Sequence, residues 1–294
     1  MKINDRVIEL TNTDKVIFSG DNIKKGDIIK YYKDISPVMI PHIEDRPMTL
    51  HRFPNGIEDK GFYQQEISDY FPDWINRTSV NKKKGGKVSH VVCNNPETLV
   101  YLANQACITP HIWLSKISKL EKPDKIVFDL DPSDNENTLI VKAAKELKEF
   151  FDGTDLIPHL MTTGSRGLHV VVPIVPEMSF DDVRTYAAKI AKIIEKENPD
   201  DFTTQHRKEK RNGRLFIDYL RNSYGQTSVA PYGIRSIAGA PVATPLDWDE
   251  LKYEDFDPQK YNIRNIFRRL GQKKDPWKNF RSKASSLHGL DSLL

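Results

Sequence analysis

The sequence predicts a mixed α/β enzyme core of the α+β kind. Three observations carry this. Short apolar strand signals alternate with amphipathic helical stripes along most of the chain. Aspartates sit inside or at the ends of two strand signals. No internal repeat and no Pro/Ser-rich linker interrupts the pattern. The expectation is one compact catalytic unit with two lobes.

Lys25–Met39 has helical spacing of Ile28, Ile29, Tyr32 and Ile35, and Met48–Phe53 follows as a strand. Asn81–Lys87, NKKKGGK, is the most polar internal stretch, and Gly85 and Gly86 mark it as a solvated turn. Ser89–Cys93 is a strand. Asn95–Cys107 is a helix with Pro96 in its first turn and Leu99, Leu102, Ala103 and Ala106 on one face. Lys125–Asp131 is a strand and Asn137–Phe151 a helix. Leu168–Val175 is a strong strand. Ser179–Glu197 is a helix whose buried stripe is Phe180, Val183, Ala187, Ile190, Ala191 and Ile194. Arg214–Leu220 is a further strand, preceded by a basic stretch, 207–214, expected to line DNA or to be a solvated loop. The tail after Arg281 has few core-forming residues and is expected to fray.

Composition bounds the function. With 294 residues and 38% hydrophobic content the chain can build a core, which excludes global disorder. Lys plus Arg total 44 against 41 acids, a net charge of +3, so a histone-like polycation is excluded. A nucleic-acid partner then requires a local basic patch. Two cysteines, Cys93 and Cys107, cannot make a disulfide framework or a four-cysteine zinc site, and reduced cytosolic thiols are expected. No apolar run reaches membrane-span length, and the N-terminus lacks the apolar core of a signal peptide. A cytoplasmic protein with no membrane partner is expected.

The segment Ile126–Pro132 is the most informative. Residues i and i+2 of a strand share a face, so Asp129 and Asp131 point together while Phe128 and Leu130 point to the core. Side-by-side carboxylates repel unless a cation joins them or one is protonated. Asp218 lies in a second apolar strand, where an isolated charge is costly. Three such carboxylates make an oxygen-rich cage suited to Mg²⁺ or Mn²⁺. The alternative is that Asp-x-Asp at a strand end caps the next helix.

Thr162–His169, TTGSRGLH, precedes a strand. Glycine lets backbone N–H groups approach an oxyanion, and Arg166 can fork onto a phosphate. His169 alternates with Leu168 and Val170 and can face a site. A plain hairpin turn explains the same residues. Arg235, in a low-charge stretch, is either a structural partner for an acid or a triphosphate ligand.

Taken together these motifs are specific. FDLDP, TTGSRGLHVVVP, FIDYLRNSYGQTSVAPYGIRS and GAPVATPLDWDEL occur in that order, after ELTNTDKV, KKGDIIKYY, HRFPNGI, KGFYQQ and LANQACITPH. The set resembles the polymerase domain of bacterial DNA ligase D, of the archaeo-eukaryotic primase superfamily, over almost the whole chain. The resemblance implies a primase-like catalytic core with two packed lobes around mixed and antiparallel sheets. It implies one domain over 1–294, with a DNA-end-binding part at roughly 1–120, a palm-like catalytic part at roughly 121–280 and a tail at 281–294.

The resemblance also implies template-directed nucleotide addition in non-homologous end joining, with a ribonucleotide preference and two divalent ions, Mn²⁺ or Mg²⁺. Asp129, Asp131 and Asp218 match the family's metal carboxylates. Ser165, Arg166 and His169 match its nucleotide-phosphate motif, and Arg235 matches a basic residue near the triphosphate. Lys15 and Lys25 match lysines that hold the 5′-phosphate of a downstream strand. Phe62 and Tyr63 match an aromatic pair that stacks on template bases. Tyr63 stands where a second Phe is usual, Arg166 where Lys is common, and Gly233 where Ser is usual; no metal ligand is lost. At this length no ligase or phosphoesterase domain fits, so a stand-alone polymerase is expected, with separate Ku and DNA ligase proteins as partners, DNA ends and gaps bearing a 5′-phosphate, and NTP or dNTP as substrates.

Other readings compete. An aspartate-nucleophile phosphohydrolase would share Phe-Asp-Leu-Asp at a strand end, but Pro132-Ser133 follows where that family has Thr or Val. A non-catalytic DNA-end clamp would gain nothing from carboxylates that repel phosphates. A primase starting chains de novo differs least, and the sequence does not separate it from an extending enzyme.

Overall fold

The structure is a computed structural model that describes every residue except 83–84, 133–136 and 252–255, and the side chain of Asn137. Lys83 and Lys84 of the polar stretch, and Ser133, lie outside the described residues.

In residues 1–118 the strands are β1 (Lys2–Ile3), β2 (Arg6–Val7), β3 (Val16–Phe18), β4 (Ile23–Lys24), β5 (Pro47–Arg52), β6 (Phe62–Gln64), β7 (Arg77–Asn81), β8 (Lys87–Val92) and β9 (Cys107–Trp113), with helices α1 (Lys25–Ile43) and α2 (Pro96–Asn104). Then come β10 (Lys125–Asp131), α3 (Asn137–Phe151), β11 (His159–Thr162), β12 (Leu168–Pro173), α4 (Phe180–Glu197), β13 (Phe202–Thr203) and β14 (Leu215–Asp218). The chain closes with β15 (Thr227–Val229), β16 (Pro245–Leu246) and α5 (Ile266–Gln272). This is a mixed helix and sheet protein built on antiparallel sheets. Among the described residues no helix is long and apolar enough to cross a membrane.

The chain forms two compact units. The first comprises 1–118, 227–243 and 261–269; the second comprises 119–226, 244–260 and 270–294. The division is therefore not a single cut near residue 120. β15 returns to the first unit because it pairs with β9 along Thr227–Val229, and Val242 N–H donates to Tyr261 O in the same unit.

The first unit holds a sheet ordered β15-β9-β5-β8-β7, with β6 also paired to β5; every pairing is antiparallel. α1 runs past Met39 to Ile43, despite Pro37 and Pro41. Proline removes a helical hydrogen bond. Burial of Ile28, Ile29, Tyr32, Ile35, Met39 and Ile43 outweighs that loss, at about 1.5–3 kcal/mol for a large apolar side chain. α2 starts where expected, with the Asn95 side chain accepting from Thr98 N–H at 2.8 Å. It ends earlier than expected, because Ala106 adopts φ 58° and turns the chain into β9. Cys107 is thus a strand residue.

The second unit holds a sheet ordered β13-β14-β10-β12-β11-β16, antiparallel except for the parallel β13–β14 pair. Helices α3 and α4 pack on β10. Ser179 caps α4 in a capping box with Asp182. The C-terminal tail does not fray. Leu287 and Leu290 are buried, and Val175 N–H donates to Ser285 O at 3.0 Å. Two leucines sufficed to anchor a segment whose composition alone looked too polar to order.

Candidate active site

β10 is the keystone of the site because it lies between β14 and β12. In its register Asp129 is the cross-strand partner of Asp218 on one side and of His169 on the other. Cross-strand partners project to one face of a sheet, so three strands deliver Asp129, Asp131, Asp218 and His169 to the same surface. Phe128 and Leu130 are fully buried on the other face, which pins the register: a one-residue slip would turn the aspartates into the apolar core, away from His169 and Arg221.

The side chains meet closely. His169 Nε2 lies 3.4 Å from Asp129 Oδ1. Arg221 Nε donates to Asp129 Oδ2 at 2.9 Å and lies 4.0 Å from Asp218 Oδ2. Asp218 Oδ1 accepts from Leu220 N–H at 2.8 Å. Burial alone would raise the Asp129 carboxyl, but His169 and Arg221 together outweigh it and hold it at about 2. Asp131 is raised, first by burial and then by the Asp129 charge. Asp218 is raised by burial and by Asp129, against the pull of the Leu220 N–H. Two carboxylates pushed toward their neutral forms beside one pinned in its charged form mark a cluster with too little positive charge.

That imbalance fits a divalent cation. The donors are hard oxygens, the set that suits Mg²⁺ or Mn²⁺. His169 Nδ1 is buried without a hydrogen-bond partner among the described residues, an uncommon state for a buried ring nitrogen. Among the described residues, the group whose ligand atoms all lie within 4.8 Å of one another is a different one: Asp247, Asp249 and Glu250. There the Lys273 ammonium already sits 2.9 Å from Asp249, and Asp247 and Glu250 form the cap of a short turn. That cluster is accounted for by its own turn and lysine.

The TTGSRGLH segment is a hairpin between β11 and β12, and it is also placed at the carboxylates. Thr163 Oγ1 organises it, donating to Gly167 O at 3.1 Å and accepting from Ser165 N–H at 3.3 Å and Gly167 N–H at 3.2 Å. At Gly167 a Cβ would lie 2.2 Å from Leu130 O and 3.6 Å from Asp131 Oδ1. Only glycine lets the loop press against the end of β10 beside Asp131. Ser165 is half-buried and Arg166 is exposed.

The remaining expected residues belong to the first unit. Lys15 Nζ donates to Asn55 Oδ1 at 3.2 Å. Lys25 is buried, donating to Thr11 Oγ1 at 3.1 Å, and its pKa is lowered by burial and then by Lys15 and Arg52. Three cations are therefore close enough to repel. Arg235 is near enough to His51 to add to the burial that lowers the His51 pKa. Phe62 and Tyr63 are consecutive on β6, so they leave the ribbon on opposite sides. Tyr63 stacks on its cross-strand partner His51, with ring centroids 4.0 Å apart and planes at 10°. Phe62 stands beside its own partner, Arg52.

Sequence reasoning missed two residues. Arg221 follows Asp218 by three positions in FIDYLR, and that spacing was its only signal. Thr163 stood in the quoted motif, but its hydroxyl's grip on two loop amides needs the closed hairpin to be visible. The 207–214 stretch is partly engaged with the residues that flank it. Arg211 donates to Gln205 O at 3.1 Å and His206 O at 3.0 Å and lies 3.9 Å from the centre of the Phe216 ring.

Comparison with known proteins places this geometry. A family model described as LigD, primase-polymerase domain, matches residues 24–277. The multifunctional non-homologous end joining protein LigD of Mycolicibacterium smegmatis is 32% identical over 260 residues, covering 87% of this chain and 34% of that protein. The bifunctional LigD of Bacillus subtilis is 30% identical over 275 residues, 93% of this chain and 44% of that protein. The chain spans less than half the length of these curated relatives. Among solved structures, the polymerase domain of Mycobacterium tuberculosis ligase D in complex with DNA superposes with a TM-score of 0.87 at 26% identity, covering 95% of this chain and 99% of that one.

Proposed function

This chain belongs to the LigD primase-polymerase domain family, a nucleotidyltransferase family of the primase-polymerase type, and we propose that it adds nucleotides to DNA ends and gaps under template direction in non-homologous end joining. The observation that carries the reading is the register that sets Asp129 against both Asp218 and His169, with the Gly167 hairpin against Asp131.

Asp129, Asp131 and Asp218 would hold two divalent ions, Mn²⁺ or Mg²⁺. When bound, such ions lower the pKa of an attacking 3′-hydroxyl and stabilise the departing pyrophosphate. The chain's own residues do the rest. The hairpin that Thr163 closes carries the Ser165 hydroxyl and the Arg166 guanidinium, which would donate to triphosphate oxygens. His169 helps to hold Asp129 in its charged form and is assigned to the nucleotide phosphates on the family resemblance. Arg235 is assigned to nucleotide binding on the family resemblance.

Lys15 and Lys25, with Arg52 close by, are assigned to the 5′-phosphate of the downstream strand. A buried lysine whose charge is opposed by two cations gains stability when an anion arrives. Phe62 and Tyr63 are assigned to base stacking, at about 1–3 kcal/mol per base with tolerance of any sequence. A ribonucleotide preference and separate Ku and ligase partners complete the proposal. De novo priming is the second reading, because the same carboxylates serve both starting and extending a strand.

The test is gap filling on a primer-template with a 5′-phosphorylated downstream strand, with NTPs and dNTPs, Mn²⁺ and Mg²⁺, beside Asp129→Ala. Template-matched addition lost in the variant supports the reading. Undiminished addition by Asp129→Ala would remove the site.

A further inference from the structure

Three of the exposed large apolar side chains lie within nine residues of the first unit: Phe62 at 45%, Tyr63 at 62% and Tyr70 at 58% relative exposure. They do not form one surface. β6 is a three-residue strand on β5, and its alternation separates them. Tyr63 leaves on one side with His51 and, at 5.7 Å between ring centroids, His111. Phe62 and Gln64 leave on the other side.

On that second side Arg52 joins the parts. Its guanidinium carbon lies 5.4 Å from the centre of the Phe62 ring. Its Nη1 donates to Gln64 Oε1 at 2.7 Å and to the Tyr70 hydroxyl at 2.9 Å. Its Nε donates to Gln105 O at 2.7 Å, which fixes the plane of the fork to β9's approach. Gln64 in turn donates to Glu66 O and to Ser68 Oγ, both at 2.8 Å, drawing the 64–70 segment onto the strand. The result is a planar cation, held by these three hydrogen bonds, that faces the exposed Phe62 ring and binds the hydroxyl of the exposed Tyr70. Such a network leaves little for a soluble surface to gain, since an exposed tyrosine ring costs apolar hydration and the arginine is ordered at an entropic cost.

We propose that Phe62, Arg52 and Tyr70 form a second stacking track, on the opposite side of the ribbon from Tyr63, that takes an unpaired base of single-stranded DNA. The proposal rests on the reading that the chain binds DNA ends, and it adds Tyr70 and this second face to that reading. The occupant follows from the chemistry present. Flat rings and a guanidinium plane stack on bases without reading their sequence. The cations Lys15 and Lys25, whose charges act on one another and on Arg52, supply attraction for the flanking phosphates.

The test uses the whole chain, binding fluorescein-labelled DNA at fixed salt without nucleotide or metal. Two substrates share one duplex: one is blunt and one carries a single-stranded 3′ overhang of thymidines. Tyr70→Ala is expected to weaken binding of the overhang substrate by about tenfold, with the loss confined to the overhang. Tyr70→Phe keeps the ring and is expected to retain most of that affinity. A 2-aminopurine placed in the overhang should be quenched by wild-type protein and less so by Tyr70→Ala. Equal affinity of wild type and Tyr70→Ala for the overhang would overturn the proposal. So would an equal loss on blunt and overhang DNA, which would reduce Tyr70 to a support for Arg52. The readout is binding alone, so failure of nucleotide addition, which tests the polymerase reading, leaves this result separately decidable. A thermal unfolding scan of each variant separates lost binding from lost folding.

Discussion

Arg221 Nε donates to Asp129 Oδ2 at 2.9 Å and reaches to within 4.0 Å of Asp218, so one guanidinium bridges the two facing strands of the site. Burial opposes the charge of this arginine, but Asp129 and Asp218 outweigh it and raise its pKa. The bridge sits where the three carboxylates would otherwise be left with His169 alone.

Arg221→Ala should therefore let the Asp129 pKa rise and loosen the carboxylates. A residue that orients metal-type ligands is worth about 10–100-fold in activity or metal affinity. Primer extension across a Mn²⁺ titration checks this. The variant should need more metal for half-maximal rate, and an unchanged metal dependence would show that the bridge is structural only.

Asp131→Asn should separate stability from activity. Burial and Asp129 raise the Asp131 pKa, so its charge is unfavourable in the fold. A carboxyl with a raised folded pKa contributes stability below its unfolded pKa, near 3.9, and loses it as pH rises through the folded value. Asp129, held at about 2, behaves oppositely: its contribution is present above the unfolded pKa and is lost as pH falls toward 2. Without metal at neutral pH, Asp131→Asn should unfold at a higher temperature than wild type. Millimolar Mn²⁺ should raise the wild-type midpoint more than the variant's. Equal shifts in both proteins would place the cation elsewhere.

Gly167→Ala should damage the hairpin. Its Cβ would lie 2.2 Å from a backbone oxygen that has no rotamer to yield. Overpacking of this kind costs about 1–3 kcal/mol. Denaturant unfolding gives the stability loss, and steady-state kinetics should show a raised KM for nucleotide. Wild-type stability and KM would mean that the loop is free to move off β10.

Cys93 and Cys107 should be inert in the native protein. Burial pushes both thiols up to about 12. The protonated thiol does not attack disulfides. With Ellman's reagent at pH 8, native protein should react slowly and guanidinium-unfolded protein should release two equivalents at once. Because these pKa values are raised, the thiols' contribution to stability is present below about pH 8.5 and declines as pH climbs toward 12. Fast native reaction would contradict the burial.

Much of this protein was legible in its residues. Strand alternation in Ile126–Pro132 placed Asp129 and Asp131 on one face, and β10 occupies Lys125–Asp131 as its pattern requires. The helical stripe of Ser179–Glu197 was equally readable, because it depends on spacing within one segment. The lone Asp218, with its demand for a partner, also showed in the sequence. Its pairing did not. Only the order β14-β10-β12 decides that Asp218 and His169 flank the same aspartate, and strand order is a long-range property that no local period encodes. The return of β15 to the first unit depends on which strands pair, and the ordering of the tail depends on where Leu287 and Leu290 find a buried seat. Local chemistry fixed what each residue could do; the pairing of distant strands decided which residues do it together.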